Sequence, residues 1–222
     1  MTDFFWPGDD RAGDHFTGGQ LLAAMLAVEE SWLGVLVDGG VAPEAARSHL
    51  RVRHEHVEWI EDQAELAGNP VPALLDLLRE DPDLGPETQH WLHRGLTSQD
   101  VLDTALMWCL GGVVEEVVAD LRRQAALLAD LAGTHRRAPT VARTLTQHAV
   151  PTTFGLKVAT WLTAVLDAHD DLSGLTLPVQ VGGAAGTMAA AVELGLDPAV
   201  ARARVADDLG LTEAPEVSAT PA

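Results

Sequence analysis

Three stretches of this 222-residue chain collect the residue types that bind anions and move protons. The first is His93-Arg94-Gly95-Leu96-Thr97-Ser98-Gln99-Asp100, an imidazole, a guanidinium and two hydroxyls directly before a run with helical periodicity. A helix start offers unpaired backbone N–H groups and the positive end of the macrodipole. Hydroxyls and an Arg beside it make a carboxylate site. The same residues also read more plainly as a cap, because Thr97 and Asp100 have capping-box spacing. Capping leaves His93, Arg94 and Ser98 unexplained. The second stretch is Arg143-Thr144-Leu145-Thr146-Gln147-His148-Ala149-Val150-Pro151. Thr144 and Gln147 also have capping-box spacing, but a helix begun there meets Pro151 in its interior, at a cost of roughly 3 kcal/mol. The reading is therefore a polar loop leading into a helix at Pro151, with Arg, two Thr and Gln to hold an anion and His148 to carry a proton. The third stretch, Gly182-Gly183-Ala184-Ala185-Gly186-Thr187, lacks the Gly-Lys-Ser/Thr ending of a phosphate loop and follows no clear strand. It is either a flexible linker or a backbone that approaches a ligand closely.

The remaining histidines do not assemble a metal site by spacing. His54 and His56 flank Glu55 and point to different sides of a helix; His90 and His93 share a face but lack a third ligand. No metal and no cofactor is expected. The six Trp residues (6, 32, 59, 91, 108 and 161) read as core or interface side chains.

The elements that position these stretches are helical. Residues 4–19 read as an ordered loop rich in Gly, Asp and aromatics. Residues 20–38 then carry Leu22, Met25, Leu26, Leu33 and Leu36 at helical spacing, up to Gly39-Gly40. Helical pattern resumes over 43–67 and 71–80, with breaks at Ala67-Gly68-Asn69-Pro70 and at 81–86. One long amphipathic helix is expected from Gln99 to about Leu131, with Gly111-Gly112 marking close packing against another helix. A second runs from Pro151 to Leu172, a Gly-rich connection covers 175–187, and a shorter helix covers 198–209. The tail from Thr212 has no periodicity and reads as disordered. Two long helices with so little chain around them cannot bury their apolar faces alone, so oligomerisation is expected.

Composition sets the outer bounds. The formal net charge is −19, from 33 acidic and 14 basic residues, which argues against a nucleic-acid partner. An anion site in such a field must be locally basic. Lys157 is the only Lys, so Arg, with its two-pronged grip on carboxylates, supplies nearly all the positive charge. Cys109 is the single cysteine and reads as a small core residue, excluding an internal disulfide framework. The start Met1-Thr2-Asp3-Phe4 lacks the basic flank of a signal peptide. No run is expected to span a membrane, because Asp103, Glu115 and Glu116 interrupt the best candidate. The default location is the cytoplasm.

Taken in order, these motifs resemble the signatures of the fumarase/aspartase superfamily. Gly95–Asp100 continuing through Val101-Leu102-Asp103-Thr104 is similar to its first signature, Arg143–Gly155 to its second, and Leu177–Thr187 to the segment after the long second-domain helix. Phe5-Trp6-Pro7-Gly8-Asp9 with Arg11-Ala12-Gly13-Asp14, and Ala67–Pro72, resemble the branch that cyclises muconates, the 3-carboxy-cis,cis-muconate cycloisomerases. The resemblance implies an all-α fold, with a small N-terminal helical domain (1–98) followed by part of a long-helix bundle domain (99–211) and a tail (212–222). It implies a homotetramer whose active sites collect signatures from different subunits. The implied chemistry is addition or elimination next to a carboxylate of a small polycarboxylate, here lactonisation of 3-carboxy-cis,cis-muconate in aromatic-acid catabolism. By resemblance Thr97, Ser98, Gln99, Thr144 and Gln147 bind substrate carboxylates and Arg11 contacts one. Gln180 and Gly183 line the pocket, and His93 and His148 serve proton transfer. Adenylosuccinate and argininosuccinate lyases commonly carry His where this chain has Leu145, which favours the muconate branch over such a sister lyase. The family's third signature, a mobile Gly-Ser-Ser loop bearing the base, is not in the sequence. The chain by itself is therefore expected to show little or no activity, and a non-catalytic assembly partner is the alternative from another class.

Overall fold

The structure is a computed structural model that describes residues 8, 12–53 and 56–214. In chain order the elements are α1 (Gly18–Asp38), a 3-10 turn (Glu44–Ala46), α2 (Val57–Ala67), α3 (Val71–Glu80), α4 (Pro86–Trp91) and α5 (Ser98–Thr134). Next come β1 (Pro139–Thr144), β2 (Gln147–Thr153), α6 (Phe154–Ser173), α7 (Ala189–Glu193) and α8 (Pro198–Leu209). The fold is the expected all-α, fumarase-type one, with one two-stranded hairpin among the described residues, between α5 and α6. Sequence punctuation sets most boundaries. Thr17 caps α1 by accepting the Gln20 N–H at 3.2 Å, and Asp197 caps α8 by accepting the Ala199 and Val200 N–H groups. Pro86 and Pro198 occupy the first position of α4 and α8, where a missing N–H costs nothing.

The chain divides into two compact units, Met1–Gly111 with Thr176–Ala222, and Gly112–Leu175. In the first unit α1 is buried on both sides. Leu22, Met25, Val28 and Leu33 pack with Val71, Leu74 and Leu78 of α3 and with Val101, Ala105 and Cys109 of α5. Trp32, Val35 and Leu36 pack with Val179, Val181, Met188, Ala201 and Val205. Each fully buried side chain of this size contributes about 1.5–3 kcal/mol, which makes α1 the centre of the unit. By length and composition alone α1 could cross a membrane, contrary to the sequence expectation, which rests only on the charges of α5. Most of it lies inside the protein, as a core helix does.

In the second unit the end of α5, the hairpin and the start of α6 are tied together. Phe154 N–H donates to the Ala138 carbonyl (2.9 Å), Gly155 N–H donates to that of His135 (3.0 Å), and the Phe154 ring stands edge-on to His135 and Trp161. Only Gly155 and Val158 of α6 are buried, and Leu127, Leu156, Trp161 and Leu166 are exposed.

Four expectations are corrected. The segment 43–67 is helical only at its two ends, because its middle spends its donors on α1 side chains. Leu50 N–H donates to Glu30 Oε1 (2.6 Å), and Arg47 pairs with Asp38 (2.6 Å). The stretch 143–151 is not a loop. Pro151 lies in β2 opposite Val141, and α6 starts at Phe154, capped by the Thr153 hydroxyl. Thr212 does not belong to an unstructured tail: its N–H donates to the Leu177 carbonyl and its carbonyl accepts the Val179 N–H, both at 2.9 Å. Gly111 faces a loop residue, Leu177, rather than another helix.

Candidate active site

The first signature is a turn between α4 and α5, held from beneath by α1. Its backbone enters the left-handed region at His93 (φ 64°) and again at Gly95 (φ 92°). Trp32 on α1 donates its indole N–H to the Arg94 carbonyl at 2.7 Å. One helical turn earlier Glu29 places Oε1 2.6 Å from His93 Nδ1. The Arg94 guanidinium lies over the Trp91 ring, 5.1 Å from its centroid, and donates to the His90 carbonyl.

Asp100 organises the start of α5. It is fully buried and accepts three backbone N–H groups: Thr97 and Gly183 on Oδ2 (3.0 and 2.9 Å) and Gly182 on Oδ1 (2.8 Å). The bond to Thr97 is the return half of the capping box that the spacing predicts. The bonds to Gly182 and Gly183 do something capping does not: they fasten the Gly-rich segment 180–186 onto the start of α5. One turn further on, the buried Thr104 hydroxyl donates to the Gln180 carbonyl and accepts the Gln180 N–H, both at 2.9 Å. Glycine suits position 183 because the backbone there sits at φ 69°, a conformation side-chain-bearing residues rarely adopt.

These bonds leave a short inventory of donors. The hydroxyls of Thr97 and Ser98 are half-buried and hold no hydrogen bond among the described residues, at a helix start where backbone N–H groups are in excess. The Gln99 amide donates to the Asp103 carboxylate. The N–H of Gly183, a residue that the resemblance puts at the pocket lining, is already held by Asp100. The turn thus presents two free hydroxyls, the first N–H groups of α5 and the His93 ring as a site for an anion.

The second signature belongs to the other unit. Thr144 pairs with Gln147 across the tip of the hairpin, and Arg143 pairs with His148, so each pair stands on one face. All four side chains are exposed. The tip carries Thr146 at φ 59°, a strained setting for a β-branched residue. Arg11 lies outside the described residues. Among the described residues no three His, Cys, Asp or Glu side chains come together as a metal site requires.

Sequence reasoning gives Asp100 only a capping role and passes over Glu29 and Thr104. Glu29 carries a signal: it is a carboxylate four residues after Met25 and four before Leu33, inside the apolar stripe of α1. Asp100 and Thr104 also share one helix face, four residues apart.

Known proteins resemble this chain over most of its length. A family model described as Lyase matches residues 45–222. The chain is 40% identical over 188 residues to the nitrosuccinate lyase of Streptomyces davaonensis, covering 80% of this chain and 39% of that protein. It is 36% identical over 192 residues to the 3-carboxy-cis,cis-muconate cycloisomerase of Bradyrhizobium diazoefficiens, covering 85% and 42%. The crystal structure of the 3-carboxy-cis,cis-muconate lactonizing enzyme of Pseudomonas putida superposes with a TM-score of 0.81 at 31% identity, covering 94% of this chain and 48% of that one. The chain therefore spans less than half the length of these relatives. With its signatures, its fold and its family match in agreement, the chain belongs to the lyase family of the fumarase/aspartase superfamily.

Proposed function

We propose that this chain supplies the first and second signatures of an enzyme for addition or elimination next to a carboxylate, with 3-carboxy-cis,cis-muconate as substrate. The observation that carries the reading is Asp100. Its buried carboxylate holds a Gly-rich backbone against the start of α5 and leaves the Thr97 and Ser98 hydroxyls without partners beside it. Fixed donors of this kind stabilise the negative charge that develops when a proton joins or leaves the carbon next to a carboxylate. In the lactonisation a substrate carboxylate oxygen forms a C–O bond to an alkene carbon, and a proton joins the neighbouring carbon. The product is an isomer, and no co-reactant is needed. Thr97, Ser98 and the α5 N-terminus hold one carboxylate, with Gln99 and Gln180 at its edge. Thr144 and Gln147 on the hairpin of another subunit hold a second, and Arg11 adds positive charge. His93 and His148 serve proton transfer.

The active form in this reading is a homo-oligomer, a tetramer as in the family. Its support within the chain is the exposed Leu127, Leu156, Trp161 and Leu166 on the two long helices, an apolar surface that a single copy leaves in water. The domain division in this reading is the family's, 1–98 and 99–211, which differs from the two compact units Met1–Gly111 with Thr176–Ala222, and Gly112–Leu175, and the location is the cytoplasm. Nucleic acid has no place as a partner at a net charge of −19.

A second reading is favoured by the 40% identity to nitrosuccinate lyase. There the same donors would hold the two carboxylates of a succinate while a proton leaves the carbon next to one of them, a C=C bond forms, and the C–N bond breaks with its electron pair going to the departing nitrite. A competition assay separates the two. The chain, supplemented with the C-terminal half of a relative, is given 3-carboxy-cis,cis-muconate and nitrosuccinate together. Loss of diene absorbance without nitrite release supports the cycloisomerase; nitrite release with the diene intact overturns it in favour of the lyase.

A further inference from the structure

The Glu29–His93 pair is unexplained by packing. Glu29 is fully buried on the apolar α1, with Oε1 2.6 Å from His93 Nδ1 and Oε2 without a hydrogen-bond partner among the described residues. A half-satisfied buried carboxylate is costly, and an apolar side chain of similar size would pack there at no such cost. His93 carries a second cost, a left-handed backbone at φ 64° in a non-glycine residue. The two costs meet on one pair, four residues before Thr97. Neighbouring Glu30 offers a contrast, since its carboxylate accepts from Leu50 N–H and pairs with the exposed His49 in an ordinary tether.

From this geometry we infer that Glu29 is a positioning residue, which holds the proton of His93 on Nδ1 so that Nε2 is the nitrogen His93 presents to the substrate. An ionised Glu29 carboxylate only accepts hydrogen bonds, so the ring nitrogen facing it then carries the proton. A protonated Glu29 would instead donate to Nδ1 and leave the proton on Nε2, the outcome that overturns the inference. With Nδ1–H committed to Glu29, only the opposite nitrogen is left to accept or return a proton, and the carboxylate stabilises the imidazolium when it forms. Trp32, one turn along α1 from Glu29, fixes the backbone of the next residue through the Arg94 carbonyl, so ring and main chain are anchored on the same helix. The His93 side chain keeps 14% of its surface exposed, and Glu29 keeps none, which makes the imidazole the outward member of the pair. The catalytic use of Nε2 rests on the proposed function; the tautomer does not.

The test has two arms. In the first, the 222-residue chain is labelled with 15N-histidine and the ring nitrogens of His93 are read by long-range proton–nitrogen correlation, at a solution pH well above the ordinary imidazole value of about 6.5. Wild type is expected to show a single Nδ1–H tautomer, and Glu29→Gln, whose amide can either donate or accept, a mixture. An Nε2–H tautomer in wild type, or an unchanged tautomer in Glu29→Gln, overturns the inference. Should Glu29→Gln fold poorly, Glu29→Leu removes the carboxylate while filling its space, and the same mixture is expected. In the second arm, Glu29→Gln is assayed on 3-carboxy-cis,cis-muconate with the C-terminal half of a relative. The expected result is a kcat lower by roughly 10-fold or more, with KM little changed; in a serine-protease triad, losing the carboxylate that fixes the histidine's tautomer costs about 10⁴-fold. A wild-type rate in a variant whose tautomer is mixed overturns the role in the reaction. A wild-type mixture that leaves the muconate untouched, with the tautomers as expected, refutes the proposed function and leaves the positioning by Glu29 standing.

Discussion

Replacing Asp100 with Asn should unfasten the Gly-rich segment from the start of α5. The carboxylate takes Thr97 N–H and Gly183 N–H on Oδ2 and Gly182 N–H on Oδ1. An amide has one acceptor oxygen. In its better orientation Asn keeps the two bonds at the Oδ2 position and turns its NH2 toward the Gly182 N–H, donor against donor. A hydrogen bond to a charged group is worth about 1.5–3 kcal/mol, and a buried donor left unpaired costs about 1–3 kcal/mol. Losing a negative charge at the first turn of α5 removes about 0.3–1 kcal/mol more. The expected loss is therefore about 3–7 kcal/mol, a large share of the roughly 5–15 kcal/mol that holds a typical domain together. The assay is urea unfolding followed by circular dichroism, together with amide hydrogen exchange at Gly182 and Gly183. Faster exchange at both glycines and the stated loss are expected. A loss below about 1 kcal/mol, with both amides as protected as before, would refute the reasoning that Asp100 carries this junction.

Three other outcomes rest on single positions. Gly155→Ala puts a Cβ 2.6 Å from the Ala132 carbonyl oxygen and 2.7 Å from Arg136 Cα, both backbone, so it should cost about 2–4 kcal/mol and loosen the hairpin in hydrogen exchange. Thr146→Gly relieves the left-handed strain at the hairpin tip and should stabilise that unit by up to about 1 kcal/mol, read as a rise in Tm. Burial pushes the Cys109 thiol up from its ordinary value. The unfolded thiol then ionises first, so stability is flat below its range near about 8.5 and falls as pH rises from there toward the folded value; Cys109→Ser should abolish that slope in urea titrations.

How much of this was legible in the sequence depends on the range of the interaction. Local rules worked where the partner lies within a turn: the Gly39-Gly40 stop of α1, and the span of α8, which matches the expected 198–209. The Thr17 and Asp197 caps, equally local, were not read from the sequence. They failed where a distant partner intervened. The strand at Pro151 depends on pairing with Val141, and the non-helical middle of 43–67 depends on Glu30 and Asp38 of α1. At the site, the capping-box spacing of Thr97 and Asp100 was readable, but the bonds from Asp100 to residues 82 and 83 positions away were not. Glu29 lies between. Its place in an apolar stripe was visible, but its partner 64 residues on emerges only from the fold.

The central claim is that the Thr97–Ser98 turn holds a substrate carboxylate during addition or elimination. Its most direct test is the loss of diene absorbance from 3-carboxy-cis,cis-muconate, with this chain complemented by the C-terminal half of a relative. Wild type is compared with a Thr97→Ala, Ser98→Ala double variant. The account predicts turnover by wild type and a fall of at least about 100-fold in the variant, as expected when fixed donors to developing charge are removed. Equal turnover by the folded variant, or none by a folded wild-type mixture, would contradict it.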